Sequence, residues 1–93
     1  NVKAVVNHLE SIKPALAKDD LLMYLRKPDG EKDVILLLKS MQDNKRSKVL
    51  QQFKTEEELA ELHRINELML QGYPDKPEID RMLERVRMPE ANR

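Results

Sequence analysis

A chain of 93 residues, 37% charged, 40% apolar and 3% aromatic, has room for one domain, with a core drawn mainly from Leu, Ile, Val and Met. Seventeen cationic and seventeen anionic side chains give a formal net charge of zero. That argues against the positive field that holds nucleic acid non-specifically at about 0.15 M salt. With no cysteine there are no disulfides and no thiolate metal sites.

No apolar run approaches the roughly 20 residues of a membrane span, and residues 1–4 do not resemble a signal peptide. We therefore expect no membrane insertion by this segment. A cytoplasmic location is expected, with the periplasm as the alternative, and the start at Asn1 reads as a piece of a longer protein.

Val2, Val5, Val6, Leu9 and Ile12 recur at i, i+3, i+4 and i+7, which lines one side of a first helix over about 2–12. Lys13-Pro14 interrupts it, and Pro14 suits the first turn of a second helix carrying Leu16, Ala17, Asp20, Leu21 and Tyr24 to near Arg26. Pro28-Asp29-Gly30 is a turn, with Gly30 free to take a positive φ. Val34 to Leu38 are apolar without a break, and Met41 continues a helical period; this third helix should be the most buried. Asp43 is placed to cap a fourth helix through Arg46, Val49, Leu50 and Phe53.

Thr55 and Glu58 have the spacing of a capping box, which opens a long fifth helix with Leu59, Leu62, Ile65 and Met69 inward and Leu68 alongside. Gly72 closes it, with Tyr73 folding back on Leu68. Asp75 and Glu78 open a short sixth helix with Ile79, Met82, Leu83 and Val86 on one face, ended by Met88-Pro89.

Beneath these elements runs a repeat. Val5, Val6, Leu9, Ser11, Ile12, Leu21 and Tyr24 recur 29 positions later as Val34, Ile35, Leu38, Ser40, Met41, Leu50 and Phe53. The fold class this predicts is all-α, two stacked helical hairpins plus a long fifth helix and a short C-terminal one. Each hairpin alone leaves an apolar face in water, so stacking buries a shared core and leaves outer faces for a partner.

Constellations for chemistry are sparse. His8 and His63 are far apart in sequence, and one carboxylate four residues after His63, Glu67, falls short of a metal site. Asp20 is the only candidate for a shifted carboxyl, and a half-exposed interhelical salt bridge accounts for it better. Ser11, Ser40 and Ser47 have no histidine beside them and no oxyanion-like glycine turn. Lys45, Arg46, Lys48 and Lys54 could meet phosphates, but Asp43 and residues 56–58 carry opposing charge next to them.

We accordingly expect no enzyme, no cofactor and no metal. Met41, Met69 and Met82 fit core stripes, whereas Leu22 and Met23 fall off the stripe set by Leu21 and Tyr24. With Leu36 and Leu37 they form the candidate protein-binding surface.

Leu9-x-x-Ile12-Lys13-Pro14-x-x-Ala17 and its echo from Leu38 to Phe53 resemble the superhelical repeat shared by magnesium-transporter intracellular N domains, flagellar motor-switch proteins and a flagellar motor chaperone. The second copy departs from that pattern, with Asp43 where the family favours Pro and Arg46 where it favours Ala. The resemblance implies a right-handed, armadillo-like stack acting through protein contacts in a bacterial motor or membrane-associated assembly. No motif matches the transporter's acidic residues, so no metal site is carried over.

The expected function is a non-enzymatic interaction module or scaffold binding another protein or a copy of itself. The alternatives are a regulatory cytoplasmic domain of a magnesium transporter and a small nucleic-acid-binding domain.

Overall fold

The computed structural model describes residues 1–72, which hold five α-helices: α1 (Val2–Ser11), α2 (Pro14–Leu25), α3 (Gly30–Ser40), α4 (Asp43–Leu50) and α5 (Glu56–Leu70). The expected sixth helix and the Tyr73 contact lie outside the described residues.

Most helix ends follow local chemistry. Asn1 caps α1 by accepting the Ala4 N–H at 3.1 Å, and Pro14 takes the first position of α2, where its missing N–H leaves nothing unsatisfied. At the start of α5 the Thr55 hydroxyl accepts the Glu58 N–H while the Glu58 carboxylate accepts the Thr55 N–H, so the capping box is complete. Gly72, at φ 82, ends α5 with its N–H on the Met69 carbonyl at 3.0 Å.

The repeat appears in the backbone. α1 and α3 end at Ser11 and Ser40, and α2 and α4 begin at Pro14 and Asp43, each pair 29 residues apart. The two-residue joints have nearly the same path: Ile12 at φ −103, ψ 170 and Lys13 at −60, 141, against Met41 at −81, 152 and Gln42 at −63, 144. Ser11 and Ser40 have the same task, donating their hydroxyls to carbonyls of the preceding turn, those of His8 and Leu36.

What holds each joint differs. In the first, Pro14 forces Lys13 out of the helical region. In the second there is no proline, and side chains do the work. The Gln42 N–H donates to the Glu10 carboxylate of α1 at 2.7 Å, and Arg46 Nη1 donates to the carbonyls of Leu38 and Met41 at 3.0 and 3.3 Å.

Three expectations need correction, two at turns and one within α5. Asp43 is the first helical residue of α4 rather than its cap; Gln42 occupies the cap position without a side-chain bond, and Asp43 instead accepts from Arg46. Gly30 has no positive φ, because Asp29 takes the left-handed conformation at φ 61, ψ 19. Glycine is needed at position 30 for space: a Cβ there would lie 2.3 Å from the Tyr24 carbonyl oxygen and 2.7 Å from that of Leu25. Finally, Leu59 is 48% exposed and leaves the inward stripe of α5, which Ile65 anchors in the core.

α3 is the centre of the bundle, packed on α1, α2 and α5, while α2 also packs on α4. Val34, Ile35 and Leu38 are wholly buried, with Leu9 from α1, Leu21 from α2 and Ile65 from α5 closing around them. Each such side chain contributes about 1.5–3 kcal/mol relative to exposure. The two copies fill this core unequally, since Val49 is buried where its counterpart Asp20 is half-buried, and Leu21 is buried where Leu50 is half-buried. At position 20 the expected interhelical contact is present, with His8 Nε2 3.6 Å from Asp20 Oδ2.

Candidate interaction surface

A cleft opens where the amino-terminal half of α1, the last turn of α2 and the middle of α3 meet. Its walls are Val2 and Val5, one turn apart on α1, Tyr24 at the end of α2, and Leu36 and Leu37 on α3, with Asp33 on the rim. The volume is about 210 Å³. Small-molecule pockets usually run to roughly 300–1,000 Å³, so this one suits one or two apolar side chains better than a free ligand. Lys27 Nζ lies 5.5 Å from the Tyr24 ring centroid and places a cation beside an otherwise apolar wall.

The repeat explains why apolar surface is uncovered here. Val34 and Phe53, the second-copy counterparts of Val5 and Tyr24, are buried, whereas Val5 and Tyr24 are only half-buried. The stripe that receives a neighbour in the second hairpin lacks one in the first.

Of the residues singled out from sequence, Leu36 and Leu37 line this cleft, Leu36 half-buried and Leu37 only 5% exposed. Leu22 borders a different depression against α5, and Met23 is 56% exposed with its sulfur accepting from Arg26 Nη1 at 3.4 Å. The four residues therefore do not form one patch. Val2, Val5 and Tyr24 carry the same helical spacing as core positions, so sequence alone assigns them inward. The available signal was their place in the first copy of a repeat, where one neighbour is missing.

No polar or charged side chain is buried among the described residues, and no group of three or more His, Asp or Glu there could hold a metal ion. No helix among them is long and apolar enough to cross a membrane. The carboxyl with a large shift is Glu58, held down to about 2 by its hydrogen bond from Lys18 Nζ at 2.8 Å and by the N–H groups of Lys54 and Thr55. Lys18 is raised in turn, chiefly by the same bond. This pair ties α5 to α2 and completes a helix cap, so the shift has a structural cause. Arg64 binds Glu31 and makes a second tie, between α5 and α3.

No family model matches the chain, and no curated protein or solved structure matches it.

Proposed function

We propose that the chain is a non-enzymatic helical interaction module whose α1–α2–α3 cleft receives the apolar side chains of a partner helix. One observation carries the reading. Two equivalent stripes are built alike, and the first leaves Val5 and Tyr24 half-buried where the second buries Val34 and Phe53. A helix presenting anchors at i, i+3 or i+4 would occupy the cleft much as neighbouring elements cover the second copy.

The resemblance to superhelical repeats supports the same reading, with the hairpins as right-handed stacking units in a bacterial motor or membrane-associated assembly. The transporter and nucleic-acid alternatives draw less support. Acidic groups do not gather into a cation cage among the described residues, and Lys45 and Lys48 share their cleft with Glu10.

The test is methyl NMR of the chain titrated with a panel of amphipathic helical peptides bearing paired leucines. Saturable shifts at the Val2, Val5, Leu36 and Leu37 methyls, abolished by Leu36→Asp, support the reading. Shifts confined to other surfaces, or none with any peptide, refute it.

A further inference from the structure

The repeat does not stop at α4. Ile65 and Leu68 stand 30 residues after Ile35 and Leu38, Ile65 is buried as Ile35 is, and α5 packs on α3 as α3 packs on α1. α5 is therefore built as the first helix of a third hairpin. In the first two hairpins a second helix follows and packs back on the stack, α2 on α3 and α4 on α2. For α5 that role falls to the residues after Gly72.

One flank of α5 is apolar and incompletely covered. Leu59, Leu62 and Met69 share it with Asn66, and Leu59 is exposed while Leu62 and Met69 are half-buried. Leu70 lies at its outer edge, in water. The other flank is engaged, with Glu57 and Glu61 bordering the end of α2 and Arg64 binding Glu31 of α3.

The occupant is written in the same chain. Twenty-one residues follow Gly72, whose left-handed φ of 82 turns the chain off the axis of α5. Within them Ile79, Met82, Leu83 and Val86 recur at i, i+3, i+4 and i+7, and Asp80, Arg81, Glu84 and Arg85 fall on the opposite side of that period. Twelve helical residues span about 18 Å, enough to lie along the roughly 15 Å from Leu59 to Met69. The five residues between Leu70 and Lys76 have the length of an ordinary helix–helix connection. So short a tether holds the segment beside the flank at an effective concentration that a free peptide seldom reaches.

We propose that residues 76–87 dock antiparallel on the Leu59–Leu62–Met69 flank of α5 and complete a third hairpin. Ile79 then meets Met69, Val86 meets Leu62, and the charged side faces water as the polar outer face of a terminal repeat. The contact uses none of the residues that line the α1–α2–α3 cleft, so each reading can fail while the other stands.

The test is methyl NMR of the whole chain at low concentration. Nuclear Overhauser contacts should join the methyls of Ile79 and Val86 to those of Met69 and Leu62, and the amides of residues 82–86 should exchange at least about tenfold more slowly than in an unstructured peptide. Val86→Asp should abolish both signals while the Leu36 and Leu37 methyls keep their shifts; Arg85→Asp, on the charged side, should leave both intact. Unprotected amides overturn the proposal. So do contacts to any other surface, or contacts that form only between differently labelled copies.

Discussion

The Glu10 carboxylate, in the last turns of α1, accepts the backbone N–H of Gln42 at 2.7 Å and so links the first hairpin to the joint of the second. In the first joint a proline ring imposes the extended conformation; in the second, this bond and the Arg46 contacts to Leu38 and Met41 impose the same one. Glu10→Ala should therefore lower stability by about 1 kcal/mol, the net worth of one such bond. A denaturant midpoint unchanged from wild type would show that the joint holds itself.

The converse substitution writes the first copy's solution into the second. Asp43 is the first residue of α4, and Gln42 before it is already extended at ψ 144. Asp43→Pro should leave stability within about 0.5 kcal/mol of wild type, the entropy gained in the unfolded chain offsetting the lost Arg46 contact. Proline placed at Val49, in the last turn of α4, should cost about 3 kcal/mol or more. Thermal melts of the two variants separate these outcomes.

At Gly30 the prediction is steric. A Cβ at 2.3 Å from one backbone oxygen and 2.7 Å from another cannot be absorbed by a side-chain rotation. Gly30→Ala should cost about 3 kcal/mol, the upper end for overpacking, by prising α3 from the end of α2. Asp29→Gly should be nearly neutral, since relief of the left-handed backbone offsets the added freedom of the unfolded chain. Equal losses from the two would mean that the turn is held by conformation and not by space.

Much of this fold was legible because its signals are local. Pro14, the Thr55–Glu58 spacing and Gly72 mark helix ends through bonds made within a few residues, and the structure places those ends where the spacing puts them. What was hidden depends on distant partners. Whether Asp43 caps α4 or binds Arg46, and whether glycine is needed at position 30 for freedom or for room, is decided by α3 and by the end of α2. The candidate surface was half legible for the same reason: Leu36 and Leu37 reach the cleft, but Leu22 and Met23 project elsewhere once α2 packs on α3.

Acid should weaken the α2–α5 tie in a defined window. The Glu58 carboxyl is held down to about 2 from an ordinary 4.5, first by Lys18, so the unfolded chain binds the proton more readily between those values. The contribution is complete above pH 4.5 and is lost as pH falls toward 2. Lys18 is held above 10.5, so its share is complete below that pH and is lost as pH rises through the folded-state value. Thermal midpoints of wild type should fall through the acid window, and Glu58→Gln, which keeps the cap but removes the charge, should flatten that slope. An equal slope in both would assign the acid loss to other groups.

Core truncations should discriminate the stacked faces from the exposed ones. Leu38→Ala and Leu9→Ala, at wholly or almost wholly buried sites, should each cost about 2–5 kcal/mol, while Leu70→Ala, at a site 84% exposed, should stay within about 0.5 kcal/mol. Urea midpoints of the three variants give the comparison directly.

Native-state hydrogen exchange at the amides of Leu9 and Leu38 tests most directly whether the two hairpins form one cooperative stack. If each hairpin covers the other's apolar face, both amides open only with global unfolding and report the same free energy. Exchange at Leu9 through a much cheaper opening, while Leu38 stays protected, would show that the first hairpin detaches by itself and would contradict the shared core.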